Sequence, residues 1–209
     1  MSGNVPDLQS FKHSISDLND YLKTAFDPKH SDVSEFTALR SSHIDRLLKI
    51  AWTHYFNPDD DTAALIAVGG YGRGELFPGS DIDLMILTGR VLRKNTLDSI
   101  QQFLTFLWDI GLEVGHSVRT VRDTVVEARA DITVATNIME SRFLLGDIKL
   151  FDSMQKLCGP NKIWPSRPFF LAKYEEQQKR YEKFEDTAYR LEPNLKESPG
   201  GLRDIQNIF

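Results

Sequence analysis

An apolar run from Ala63 to Val68 passes directly into the glycine-rich stretch Gly69–Ser80, which leads into a second apolar run opened by two aspartates, Asp81-Ile82-Asp83-Leu84-Met85-Ile86-Leu87. Both runs are strand-sized, and the glycines between them mark a turn rather than a helix interior. Successive side chains of a strand point to opposite faces, so Asp81 and Asp83 project from the same one. Two carboxylates held side by side repel unless a cation lies between them. Magnesium, with manganese as a substitute, binds through one or two carboxylates plus substrate phosphates, and paired metals can stabilise both the attacking and the leaving oxygen of a phosphoryl displacement. Gly69 and Gly70 allow backbone to approach a triphosphate closely, and a helix starting there would aim N–H groups at it. Arg73 can meet phosphate oxygens as a fork. Ser80 offers a hydroxyl to phosphate, or simply caps the turn before the strand.

Other phosphate-binding patterns do not fit this stretch. Gly70, Gly72 and Gly74 lack the two-residue gap before the last glycine of a dinucleotide-binding turn, and no Gly-Lys-Ser/Thr of a P-loop is present. An Asp-x-Asp pair alone is ordinary surface decoration. With Gly-Gly ten residues upstream and apolar runs on both sides, it specifies a metal and phosphate site.

Composition narrows the class further. The chain has 209 residues, 41% of them hydrophobic, and a net charge of −5, which argues against non-specific tracking of DNA or RNA. Its length suffices for a core without disulfides, and the single Cys158 cannot form an internal bridge; it reads as a small core residue. No Cys/His cluster has zinc spacing. The N-terminal residues have neither the basic start nor the apolar core of a signal peptide, and no apolar run approaches a membrane span. A cytoplasmic protein is expected.

Apolar residues at helical spacing predict helices over 8–26 and 34–56, the first ended by Asp27-Pro28. The acidic run Asn57–Asp61 reads as a solvated turn. After the second strand, helices are expected over 96–110, 122–129, 133–145 and 148–157, with Asp131 as an N-cap, and a half-buried strand over 112–120. Cys158-Gly159-Pro160-Asn161 reads as a boundary, followed by a long charged helix from Arg167 to Leu191. The expected fold is α/β (α+β), a small mixed sheet flanked by N-terminal and C-terminal helices. Its divisions are a helical segment over 1–60, a catalytic domain over 61–158, and the start of a following helical domain over 159–209. An apolar helical pattern is beginning where the chain stops at Phe209, so a longer parent protein is expected.

The spacing from Gly69-Gly70 to Asp81-Ile82-Asp83-Leu84 resembles that of the DNA polymerase β-like nucleotidyltransferases. The finer resemblance is to the N-terminal domain of the bacterial PII uridylyltransferase/uridylyl-removing enzymes. It is carried by AVGGYGRGELFPGSDIDLMIL, LWDIGLEVGHSVRTVRD, TVATNIMESRFLLGD and EPNLKESPGGLRDIQNI, four blocks in order. The resemblance implies transfer of UMP from UTP to a tyrosine of the signalling protein PII, with release of pyrophosphate. It also implies that the hydrolase domain and the glutamine-sensing domains of such proteins lie outside these residues. No adjacent His-Asp pair of the hydrolase class occurs here; His43 and Asp45 are two apart in a predicted helix and would not face each other.

One departure from the superfamily concerns its third carboxylate, usually on a later strand. On 112–120 the only acid is Glu113, near the strand start, where it is either a third metal ligand or a solvated strand-end acid; Gly115 holds the more central position. His116 reads as a hydrogen-bonded core histidine, and Arg119 as the partner of Glu113 or Asp123. Asn137, Glu140 and Arg142 read as the polar face of a helix, Tyr71, Glu75 and Pro78 as shapers of the turn, and Trp52, Trp108 and Trp164 as core or interface residues. Competing functions remain: a nucleotidyltransferase with another acceptor, a nucleotide-sensing module without turnover, or a helical scaffold around a degenerate domain.

Overall fold

A computed structural model of the chain describes residues 7–57, 62–90, 93–183 and 194–206. Most of the acidic run Asn57–Asp61 and the helix expected beyond Lys183 lie outside them.

Two helices come first. In α1 (Leu8–Ala25), Asp7 accepts the amide of Gln9 at the N-cap, and Phe11, Leu18 and Leu22 form the buried stripe. In α2 (Val33–Tyr55), Asp32 caps Ser34, and Ile44, Leu47, Leu48, Ala51 and Trp52 are buried. The sheet follows, built from β1 (Ala63–Ala67), β2 (Ile82–Thr88), β3 (Val114–Thr120) and β4 (Arg142–Gly146), in the order β3-β2-β1-β4. A four-residue helix, α3 (Gly69–Gly72), lies between β1 and β2, which pair antiparallel. The parallel step from β2 to β3 is made through α4 (Lys94–Asp109), as a parallel pair requires a crossover. Next come α5 (Val121–Ala130), α6 (Ile132–Met139) and, after β4, α7 (Ile148–Cys158).

The sheet is mixed and its centre is covered on both faces. Every residue of β1 is buried, which is why its sequence is continuously apolar rather than alternating. Leu65 and Ala67 of β1 and Ile82, Leu84 and Ile86 of β2 share one core with Ile44, Leu48 and Trp52 of α2 and Phe103 and Leu107 of α4. The indole of Trp52 stacks on Phe56 at 3.6 Å and meets Phe103 edge-on at 5.3 Å. The alternate residues of β1 and β2 face the layer of α5, α6 and α7.

Three local expectations are corrected. The helix expected over 133–145 ends at Met139, where Ile138 accepts both the amide and the hydroxyl of Ser141. Arg142–Gly146 then pairs antiparallel with β1; pairing along the edge of β1 overrides the helical spacing of Val134, Ile138 and Leu145. His116 is exposed and meets the ring of Trp108 edge-on at 5.6 Å, because β3 is the outer strand. Trp108 itself is 51% exposed. Arg119 pairs with Glu127 at 3.0 Å, since α5 folds back beside its strand. Asp131 does cap α6 through the amide of Thr133, and Cys158 is buried.

The chain divides into two compact units, residues 1–159 and 160–209. The second contains α8 (Ser166–Glu182) and α9 (Leu202–Gln206). Asp204 ties them together, accepting from Gln177 at 3.1 Å, Arg180 at 2.6 Å, the Tyr181 hydroxyl and the amide of Gly200 at 2.8 Å. Burial works against its charge, but the Tyr181 and Gln177 donors hold the carboxyl below the usual carboxylate range. Asn194 opens the turn before α9 by accepting the amides of Lys196 and Glu197. Among the described residues no helix is long and apolar enough to cross a membrane.

Candidate active site

The end of β1, the glycine turn and the start of β2 form one corner of the sheet. The amide of Val68 donates to the carbonyl of Asp83 at 3.1 Å, holding the two strands together as the turn leaves. Gly69 opens α3 at φ +58°, a conformation that favours glycine. A Cβ built on it would lie 3.5 Å from Oδ2 of Asp83 and 3.7 Å from Oδ1 of Asn137. The bare Cα of Gly69, the Asp83 carboxylate and the Asn137 amide therefore converge. The close packing at Gly72 has another cause: a Cβ there would meet the carbonyl oxygen of Glu140 at 2.2 Å, so the turn sits directly against the end of α6.

Asp81 and Asp83 flank the buried Ile82 and are both exposed. Across the parallel pair, Asp83 is in register with Gly115, and a Cβ on Gly115 would come within 2.5 Å of Oδ1 of Asp83. The position of β3 opposite Asp83 is thus kept free of any side chain, and Asp83 uses the space. Glu113 lies one step before β3, exposed, with its carbonyl accepting the amide of Ile82 at 2.9 Å. Among the described residues no group of three or more His, Cys, Asp or Glu side chains is placed to hold a metal ion. The aspartate pair is a fitting partial set for magnesium, which takes its remaining ligands from phosphates and water.

The other residues singled out by sequence are placed less directly. Arg73 is engaged by two carboxylates, Glu75 at 2.9 Å and Glu140 at 2.7 Å. Its guanidinium is positioned beside the turn but would have to exchange these partners for phosphate. Gly70 lies next to it, a Cβ there falling 3.7 Å from Nη2 of Arg73. Ser80 closes the turn that begins at Phe77 through its amide and lines a cavity bounded by α1 and α2.

Sequence reasoning missed what holds the turn. Asp45 of α2 accepts both Nη1 (2.6 Å) and Nη2 (3.1 Å) of Arg142 and the Tyr71 hydroxyl at 2.6 Å. Arg142 also donates to the carbonyls of Tyr71 and Gly72, both at 3.3 Å, and lies over the Tyr71 ring. Burial, and then the Asp45 carboxylate, push the Tyr71 phenol well above its ordinary range, so it remains a donor. Burial alone would lower the Arg142 pKa; the hydrogen bond and charge of Asp45, with Tyr71 added, together outweigh it and raise the value. A bidentate pair thus pins α3 between α2 and β4. Asp45 and Arg142 are 97 residues apart, and no spacing rule joins them.

Fold and site together define a class: a small mixed-sheet α/β domain in which a glycine turn faces paired carboxylates at the start of a strand, the pattern of nucleotidyltransferases. Comparison with known proteins makes this specific. The chain is 48% identical over 203 residues to the bifunctional uridylyltransferase/uridylyl-removing enzyme of Hydrogenovibrio crunogenus, covering 97% of this chain and 22% of that protein. The enzymes of the same name from two strains of Pseudomonas fluorescens are each 48% identical over 202 residues, with the same coverage. The profile of the GlnD PII-uridylyltransferase family matches residues 168–209. Over nearly all of its length the chain is similar to the bifunctional uridylyltransferase/uridylyl-removing enzymes, and it spans about a fifth of the length of these relatives. Among solved structures, the toxin–antitoxin MntA-HpeT covers 68% of this chain and 95% of its own at 11% identity and a TM-score of 0.34, too slight an overlap to bear on function.

Proposed function

We propose that this chain is a metal-dependent nucleotidyltransferase that moves UMP from UTP to a tyrosine of PII. The acceptor phenol oxygen forms the new bond to the α-phosphorus, the bond to pyrophosphate breaks, and the phenol proton is lost. What carries the reading is the meeting of Gly69, Asp83 and Asn137 at one corner of the sheet, with Asp81 just before β2. Asp81 and Asp83 would hold magnesium, whereas Glu113 borders the cavity beside α1 and α2. When bound, the metal supplies charge neutralisation for the phosphates.

The remaining roles fall to the chain itself. Gly69 and Gly70 present bare backbone, so a triphosphate can approach the first amides of α3, which have no acceptor one turn earlier in the helix. Arg73 would release Glu75 and Glu140 to pair with phosphate oxygens. Asn137 stands beside Asp83 and can orient the nucleotide by donating from its amide nitrogen. Uridylyl transfer and PII as acceptor are supported by the relatives' name and by the family whose profile matches.

The test is to incubate the chain with magnesium, UTP labelled at the α-phosphate, and purified PII, and to follow label into protein. Label on a PII tyrosine, absent with a tyrosine-to-phenylalanine PII, is the expected result. Label bound to the chain but never passed to PII would remove the acceptor assignment.

A further inference from the structure

The aspartate pair does not line the apolar-walled cavity of the first unit. That cavity, about 670 Å³, is on the other face of the sheet, between α1, α2 and the turn at Phe77–Ser80. The alternation of β2 separates the two: Ile82 faces the cavity and the helical core, while Asp83 points away. Its volume falls in the range of roughly 300–1,000 Å³ that small-molecule sites occupy.

Leu22, Phe36 and Phe77 give the walls their apolar character. Polar side chains interrupt them: Asn19, Lys23, Thr37 and Arg40 on the helical side and Ser80 on the turn, and the charged groups of the helical side are both cations. Arg40 donates from Nη1 to Oδ1 of Asn19 at 2.7 Å, and its Nε is buried without a hydrogen-bond partner. Among the described residues neither Arg40 nor Lys23 forms an ion pair. One carboxylate, Glu113, also borders the cavity, so cations outnumber it there.

A half-buried guanidinium with only a neutral amide for company carries an uncompensated desolvation cost, and an anion would offset it. Burial accordingly holds the Arg40 pKa below the usual arginine range. The rest of the wall would be better covered by hydrocarbon than by water. We infer that this cavity is a second binding site, separate from the aspartate pair, for a small organic anion with an apolar body.

The probe is 8-anilinonaphthalene-1-sulfonate, an aromatic body with a single sulfonate, titrated into the chain and followed by fluorescence. Saturable binding to one site is expected, weakened at least about fivefold in Arg40→Gln and in Lys23→Gln, as loss of one charge-assisted contact implies. Asp83→Asn should leave it unchanged. Octanoate should displace the probe, and octanol, with the same body and no charge, should do so at least about tenfold less well. Lys23 is exposed, so Lys23→Gln decides the matter even if Arg40→Gln fails to fold. Absence of saturable binding, equal binding by Lys23→Gln, loss of binding in Asp83→Asn, or equal displacement by octanol would each overturn the inference.

Discussion

Gly115 faces Asp83 across the β2–β3 register, and a single methyl group there would sit 2.5 Å from Oδ1 of Asp83. Gly115→Ala is therefore expected to displace the carboxylate without disturbing the core, since residue 115 is exposed. Magnesium-dependent UTP binding should fall by about tenfold or more, with the melting temperature nearly unchanged; calorimetry and a thermal melt check the two halves. At this scale the sequence was informative where chemistry is local. Asp81 and Asp83 two apart, with Gly69-Gly70 upstream, could be read from spacing. The space for Asp83 could not be, because it depends on which residue of β3 lies opposite, and register is a tertiary fact. Nor could the engagement of Arg73 by Glu75 and Glu140, the second of which arrives from α6.

Among elements, the junction of α2, α3 and β4 is the one on which the site depends. Asp45→Asn keeps an acceptor for Tyr71 but removes the charge facing Arg142, leaving a guanidinium that is 35% exposed. A loss of about 2 kcal/mol is expected, less than for a fully buried pair because solvent screens part of it; chemical denaturation of wild type and variant measures it. A second junction joins α1 to α2, where Ser14 and Nε2 of His43 are 2.9 Å apart. Burial, and then Arg46, lower the His43 pKa below 6.5. The unfolded chain therefore takes up the proton more readily, so the stability from neutral His43 is fully present above pH 6.5 and is lost as pH falls towards the folded value. Melting temperature should drop on acidification through this window, and His43→Gln should flatten the drop. The helices α1, α2 and α4 were legible because each buries an apolar stripe. β4 was not, since its five residues also fit the end of a helix and only pairing with β1 decides between them.

At the scale of the whole molecule, the sheet, the aspartate pair and the cavity all belong to residues 1–159, while the family profile matches within 160–209. The first unit has its own core, so residues 1–159 alone should melt cooperatively with the circular dichroism of an α/β domain; a non-cooperative melt would show that the second unit is needed for folding. The chain divides between Gly159 and Pro160, and the work of the block after residue 193 was not legible in the sequence. Asp204 binds Gln177, Arg180 and Tyr181 of α8, and a short sequence block does not reveal which earlier helix it will meet. The central claim concerns the aspartates, and calorimetric titration of UTP in magnesium tests it most directly. Wild type should bind UTP with magnesium and lose that binding in EDTA, while Asp81→Asn and Asp83→Asn should bind at least about a hundredfold more weakly without a lower melting temperature. Magnesium-dependent binding of wild-type strength in either variant would contradict the account.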